Sequence, residues 1–236
     1  MENREYSKVI AYIKKMISES RLHPGDKLPT ERELADTLSV GRYSIREALR
    51  IMDNMGMIES RQGSGNFLVS NIGKNLAESV SMMLMVKQVN YLEISQLRRA
   101  IELYAYGCAM NNLTPDKIHE MDQLLNAMKI TSETKSAKLD KQFHDAIIVG
   151  SNNNLIISIM ESLSEVCQVF IEKVLHNTSI EIKETLMETH VEMLQYLKEK
   201  DISKGHDAIN RHYDIADLAC SKDQQFNYSS NSAITK

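Results

Sequence analysis

Apolar side chains in the first part of the chain recur at two periods, and each period predicts a different kind of element. Val9, Ile10, Ile13, Met16 and Ile17 follow the three- and four-residue spacing of one helical face, so residues 6–20 read as a helix that stops ahead of Pro24-Gly25. Thr30 then opens a T-x-x-E spacing with Glu33. A hydroxyl there caps the first turn while the glutamate reaches back to the cap amide, which starts a short helix over about residues 31–38. After Ser39 to Arg42 a further run sets Ile45, Ala48, Leu49 and Met52 on one face and ends near Gly56. Two short helices joined by a tight turn result. MIES, RQGSG and NFLVS follow as a β-prone stretch, a glycine-bearing turn and a second β-prone stretch, the pattern of a small hairpin, or wing.

From Ile72 onward the periods are helical only, over residues 76–86, 91–111, 115–130, 137–149, 153–176, 179–199 and 202–220. Side chains that compete for backbone hydrogen bonds break them at Asn111 to Pro115, at the SNNN of Ser151, at the HNTS of His176 and near Asp201. The predicted architecture is mainly α: a winged helix-turn-helix over 1–70, a linker over 71–76 and an all-α helical bundle over 77–222. The polar, unperiodic tail over 223–236 is expected to fray or be disordered.

At 236 residues, 42% hydrophobic and 25% charged, the chain suits one or two globular domains. Its net charge of -4 excludes a uniformly basic nucleic-acid coat, but residues 1–70 carry a slight positive excess and the acidity lies beyond them. DNA contact would therefore be local. Cys108, Cys167 and Cys220 show no CxxC spacing, which argues against a disulfide scaffold or a thiolate zinc finger and fits a reducing, cytoplasmic setting. No stretch has signal-peptide character or approaches the length of a membrane span.

On the second short helix, Arg46 and Arg50 fall about 40° and 80° from Arg42, away from the apolar face. Guanidinium groups so placed can pair with guanine edges in the major groove or hold phosphates. On an isolated helix such a stripe is more often plain surface; the flanking turn and hairpin reverse that balance. LPTEREL, SIREAL, MGMIE and RQGSGNF, in that order, resemble the winged helix-turn-helix of the GntR family of bacterial transcription regulators. The resemblance implies that Arg32 contacts phosphate, that Arg42 and Arg46 reach the major groove, and that Gly63 lets the wing backbone approach the minor groove. Gly41 and Tyr43 depart from the usual small hydroxyl residues. Gly41 is the weaker cap, and Tyr43 is a candidate for a methyl or phosphate contact. The GSG of the wing lacks the lysine and helix of a phosphate-cradling loop.

Asp140 and His144, four apart on a predicted helix, share a side with Phe143 and Ile147, while His190 and His212 lie on two further apolar stripes. One core histidine is ordinary, but three with a carboxylate suit a divalent metal such as zinc, nickel, manganese or iron. His206 and His119 read as surface residues, and His23 and His176 fall at helix breaks. LRRAIELYA, FHDAIIVGSNN and the ETH and NRH helices are similar to the FadR C-terminal ligand-binding (FCD) domain, the sensor of one GntR subfamily. That resemblance implies metal ligation by Asp140, His144, His190 and His212, with zinc the first choice.

Arg98 shares the inward face of Ile94, Leu97, Ile101 and Ala105 and needs an anionic partner, either Glu102 four residues on or another buried acid, or a carboxylate effector. The resulting expectation is a homodimeric regulator that binds an inverted-repeat operator and is controlled by a small carboxylic acid at a metal-containing pocket. Two alternatives stand beside it. One is a regulator that senses the metal itself. The other is a metal-dependent hydrolase suggested by His144-Asp145, although Asp145 lies about 100° off the ligand stripe.

Overall fold

In the computed structural model, which describes residues 5–69, 72–130 and 133–230, the chain divides into two units, Met1–Leu76 and Ala77–Lys236. The first holds α1 (Glu5–Ser18), α2 (Glu31–Leu38), α3 (Arg42–Asn54), β1 (Ile58–Arg61) and β2 (Gly65–Leu68). Its core is the set that the periodicity selects: Val9 and Ile13 of α1, Leu34 of α2, and Ile45, Ala48, Leu49 and Met52 of α3, closed by Ile58 and Leu68 of the hairpin. The strands pair antiparallel from Ile58 opposite Leu68 to Arg61 opposite Gly65, and Lys27 adds a bridge to Phe67.

Local chemistry fixes the ends of these elements. Thr30 and Glu33 form both halves of the capping box, with Thr30 N donating to Glu33 Oε2 at 2.7 Å and Glu33 N to Thr30 Oγ1 at 3.2 Å. Gly41 caps α3 with no side-chain hydrogen bond, as its missing side chain requires. In the wing Gly63 adopts φ +72° and Gly65 φ +103°, backbone that L side chains rarely take, so the turn depends on glycine.

The second unit takes in the end of α4 (Ile72–Met85), then α5 (Tyr91–Asn112), α6 (Pro115–Lys129), α7 (Glu133–Val149), α8 (Asn154–Asn177), α9 (Ile180–Glu199) and α10 (Ile202–Ser230). Each predicted break is a cap in the structure: Thr114 with Pro115 starts α6, Asn153 starts α8, Ser179 starts α9, and Asp201 accepts from Lys204 N at 3.1 Å at the start of α10. Helix α5 packs against α7, α8, α9 and α10, and α6 against α7 and α9. Ala105, Tyr106, Phe143, Ile147, Met193, Leu194 and Ile209 fill the space between them. No helix among the described residues is long and apolar enough to cross a membrane.

Four details differ from the sequence reading. Helix α4 begins at Ile72, inside the segment read as linker, and α7 begins at Glu133 rather than 137. Helix α10 runs on through Ser230, past residue 222, because residues 223–230 contain neither proline nor glycine to interrupt it. His206 is half-buried rather than superficial, its Nε2 3.0 Å from Leu103 O, because α10 lies along α5. His119 is exposed beside Gln123, and the side chains of His176 and Cys220 lie outside those described.

Gly205 of α10 packs closely against Tyr106 of α5. A Cβ built there would lie 2.1 Å from Cε1 of the Tyr106 ring, which is fully buried and held by its hydroxyl donating to Met193 O at 2.6 Å. Gly205→Ala is therefore expected to destabilise the second unit by about 2 kcal/mol through overpacking, more than the roughly 1 kcal/mol that alanine gains in helix propensity. A fall in urea midpoint at unchanged slope would show it; an unchanged or higher midpoint would mean that Tyr106 can move aside.

Candidate metal centre and nucleic-acid interface

Helix α7 presents Asp140 and His144 one turn apart, α9 presents His190 and α10 presents His212, and one ligand atom from each lies within 4.8 Å of the others. All three imidazoles are buried, and Asp140 is nearly so. His190 Nε2 is 3.1 Å from both Asp140 Oδ1 and His144 Nε2. Phe143 sets its ring edge-on against His144 and His190, with centroids 5.8 and 5.1 Å away, and closes one side.

The outer nitrogens show which atoms are available to a ligand. His144 Nδ1 is 2.5 Å from Glu102 Oε1; an ionised carboxylate only accepts, so Nδ1 carries the proton. Thr189 gives its hydroxyl proton to Leu186 O at 2.6 Å and accepts from His212 Nδ1 at 3.0 Å. Both rings are thereby held with Nε2 turned to the cluster. Nε2 lone pairs of His144 and His190 at 3.1 Å repel unless a proton or a cation lies between them. The donor set, three imidazoles and one carboxylate with carboxylate and hydroxyl groups behind two of the rings, fits a divalent borderline metal.

Electrostatics within the cluster follow from burial and mutual contact. Burial alone would raise the Glu102 carboxyl, but His144, Tyr213 and Arg98 outweigh it and hold the group below its ordinary value. Asp140 is likewise pulled down against burial by the His190 hydrogen bond and the neighbouring imidazoles. His144 is raised, because Glu102 overcomes desolvation, whereas His212 is driven well below the usual histidine range by burial and by the other two rings. Tyr213, donating to Glu102 Oε2 at 2.7 Å, is pushed well up by burial and by that carboxylate.

Arg98 faces inward from α5 and is only 7% exposed. Glu102, one of its candidate partners, is 0% exposed and has both oxygens engaged, by His144 and Tyr213, and the one-turn pair does not form. Among the described residues Arg98 Nε has no hydrogen-bond partner, and the Cys167 thiol of α8 is its polar neighbour. Asp145 points elsewhere: it accepts from Lys141 at 2.5 Å and lines a groove of about 700 Å³ between α6 and α7. Sequence reading missed the roles of Glu102, Tyr213, Thr189 and Cys167. The available signal was polar residues on otherwise apolar inward faces.

In the first unit Arg42, Tyr43 and Arg46 are exposed on α3, with Tyr43 81% accessible, and Arg32 is exposed on α2 beside Asp36 at 3.8 Å. Arg46 Nε donates to Glu31 Oε2 at 2.9 Å. Gly63, at the tip of the wing, has open space where a Cβ would stand. Behind it Arg61 stacks over Phe67, 4.4 Å from the ring centroid.

The profile described as bacterial regulatory proteins, gntR family, matches residues 5–68, and that of the FCD domain matches residues 93–215. The chain belongs to the GntR family, in its FCD-bearing branch. It is a bacterial transcriptional regulator with a DNA-binding head and an effector-binding bundle, as the sequence resemblance implied. The HTH-type transcriptional regulator YcbG of Bacillus subtilis (strain 168) is 27% identical over 198 residues, covering 84% of this chain and 82% of that protein. The Uxu operon transcriptional regulator of Escherichia coli (strain K12) is 29% identical over 160 residues, covering 66% of this chain and 62% of that protein, so the match spans just under two thirds of its length. Streptococcus agalactiae GntR has the same fold, with a TM-score of 0.70 at 24% identity over 91% of this chain and 99% of that one.

If the cluster holds a metal, Glu102 sets the basicity and orientation of one ligand without touching the ion. Glu102→Gln should weaken metal affinity by about 10- to 100-fold, measured by competition with a chromophoric chelator. Wild-type affinity in that variant would reduce Glu102 to a packing role.

Proposed function

We propose that this GntR regulator binds a small carboxylic acid between Arg98 and a divalent ion held by Asp140, His144, His190 and His212, and that this ligand controls its affinity for an operator. The observation that carries the reading is the convergence of these four groups beside a buried guanidinium with no carboxylate partner among the described residues. Glu102 and Asp140 act on Arg98 through their charge but form no ion pair with it, and a buried guanidinium so placed still gains from a directly bound anion. Arg98 and a divalent ion together outweigh Asp140 and Glu102, so the site favours a ligand that brings negative charge. Zinc suits the donor set best, with nickel, manganese or iron as alternatives.

The ion, when bound, supplies coordination positions for ligand oxygen. The chain supplies the rest. Arg98 gives directional donors for a carboxylate, Glu102 and Thr189 keep two imidazoles in the ligating orientation, and Phe143 keeps that side of the site apolar. A ligand that prefers one packing of the bundle shifts the population toward it, and the operator affinity changes by that differential binding energy. The lysine-paired Asp145 does not join the ligand set, which favours regulation over hydrolysis at His144-Asp145.

At the DNA, Arg42, Tyr43 and Arg46 would enter the major groove, Arg32 would hold phosphate and the Gly63 turn would approach the minor groove. A homodimer in the cytoplasm would present two such heads to an inverted repeat. Arg46→Ala should weaken binding to the selected operator far more than to random duplex at matched salt, read by fluorescence anisotropy. An equal loss on both would make Arg46 a phosphate contact.

A thermal-shift screen of small carboxylic acids on metal-loaded protein tests the sensor. A binding acid should raise the melting temperature, and the rise should vanish in Arg98→Ala and His190→Ala. A shift produced by metal alone, with no acid effective, would favour the ion itself as the signal.

A further inference from the structure

The groove-reading arginine on α3 is tethered from another helix. Arg46 Nε and Glu31 Oε2 lie 2.9 Å apart, within the range of a charge-assisted hydrogen bond, and join α3 to the first residue of α2. Glu31 itself is well fixed. The Thr30–Glu33 capping box sets the backbone of the first turn, and a carboxylate there sits at the positive end of the α2 dipole. Both side chains are partly exposed, and exposed ion pairs add little to folding stability. The consequence of this pair lies in binding.

Arginine has five N–H donors. Using Nε–H on Glu31 leaves the terminal nitrogens, the fork that matches guanine O6 and N7. A long side chain held in place before the encounter also loses less rotamer freedom on docking. Against this, a carboxylate beside the duplex is repelled by phosphate, so a glutamate at this position lowers non-specific affinity. Both effects favour sequence discrimination over raw affinity.

We propose that Glu31 is a positioning residue for base reading: it holds Arg46 by Nε so that its terminal fork addresses one guanine in each half-site. This rests on the reading of Arg46 as a major-groove residue.

The test uses the full chain and a duplex selected by it from a random library. Dissociation constants are measured for that duplex, for variants with each G·C pair replaced in turn, and for a scrambled duplex, over a range of salt. Arg46→Ala should abolish discrimination at one position per half-site, a loss of about 5- to 150-fold. Glu31→Ala should lose most of that same discrimination, while its affinity for scrambled duplex stays level or rises. Glu31→Gln, whose amide oxygen still accepts from Nε, should restore most of it, and Glu31→Ala should add nothing in the Arg46→Ala background. A thermal melt for each variant verifies that the head is folded.

If Glu31→Ala and Glu31→Gln tighten every duplex alike and leave discrimination intact, Glu31 only opposes phosphate and the inference is overturned. If Arg46→Ala itself leaves every position preference unchanged, the underlying reading of Arg46 has failed instead.

Discussion

Three imidazoles, two carboxylates and a guanidinium share the interior between α5, α7, α9 and α10, and the second unit depends on their mutual neutralisation. None of these groups could be buried there alone, because losing hydration costs several kcal/mol per unpaired charge. Glu102 accepts from both His144 and Tyr213, Asp140 faces His190, and Thr189 anchors His212. The accounting closes for the carboxylates and leaves the guanidinium over. Among the described residues Arg98 Nε and His190 Nδ1 stay buried without a hydrogen-bond partner, and under the proposed reading an anionic ligand beside them would supply the differential binding that a ligand-controlled equilibrium requires.

The DNA-reading unit reverses this distribution. Its interior is wholly apolar, built from three short helices and a two-stranded wing, and its charges stand outside. Exposed arginines on α2 and α3 meet acids on the same surface, Asp36 with Arg32 and Glu31 with Arg46, so the unit carries little net charge. Under the proposed reading, such pairing would lower the attraction for any duplex and leave more of the recognition to base edges and groove shape. The two units thus use charge differently: buried and compensated in the sensor, exposed and tempered in the reader.

Much of the fold was legible because helical periodicity, caps and breakers are local. Val9 and Ile13, or Ile45 and Met52, declare one face of one helix, and Thr30, Thr114, Asn153 and Ser179 declare where helices begin. Asp140, His144, His190 and His212 stood out for the same reason, as polar residues on apolar stripes. What escaped was the set of partners behind them. Glu102 was one of the candidate partners for Arg98, one turn away, yet it serves His144, 42 residues on, and Tyr213, 111 residues on. Nor does any local pattern place Thr189 behind His212 or Cys167 beside Arg98.

The sequence by itself determined which segments are helical, where they stop, which face of each turns inward, and which family motifs they carry. Tertiary structure alone decided which inward faces meet and at what axial offset, and therefore which hydrogen bonds form. The physical reason is one of range. A helical period specifies an angle about its own axis, whereas a hydrogen bond requires two atoms on different helices to arrive within about 3 Å of one another. That condition is set by the packing of the whole bundle, and only there does the pairing of Glu102 leave Arg98 without a carboxylate.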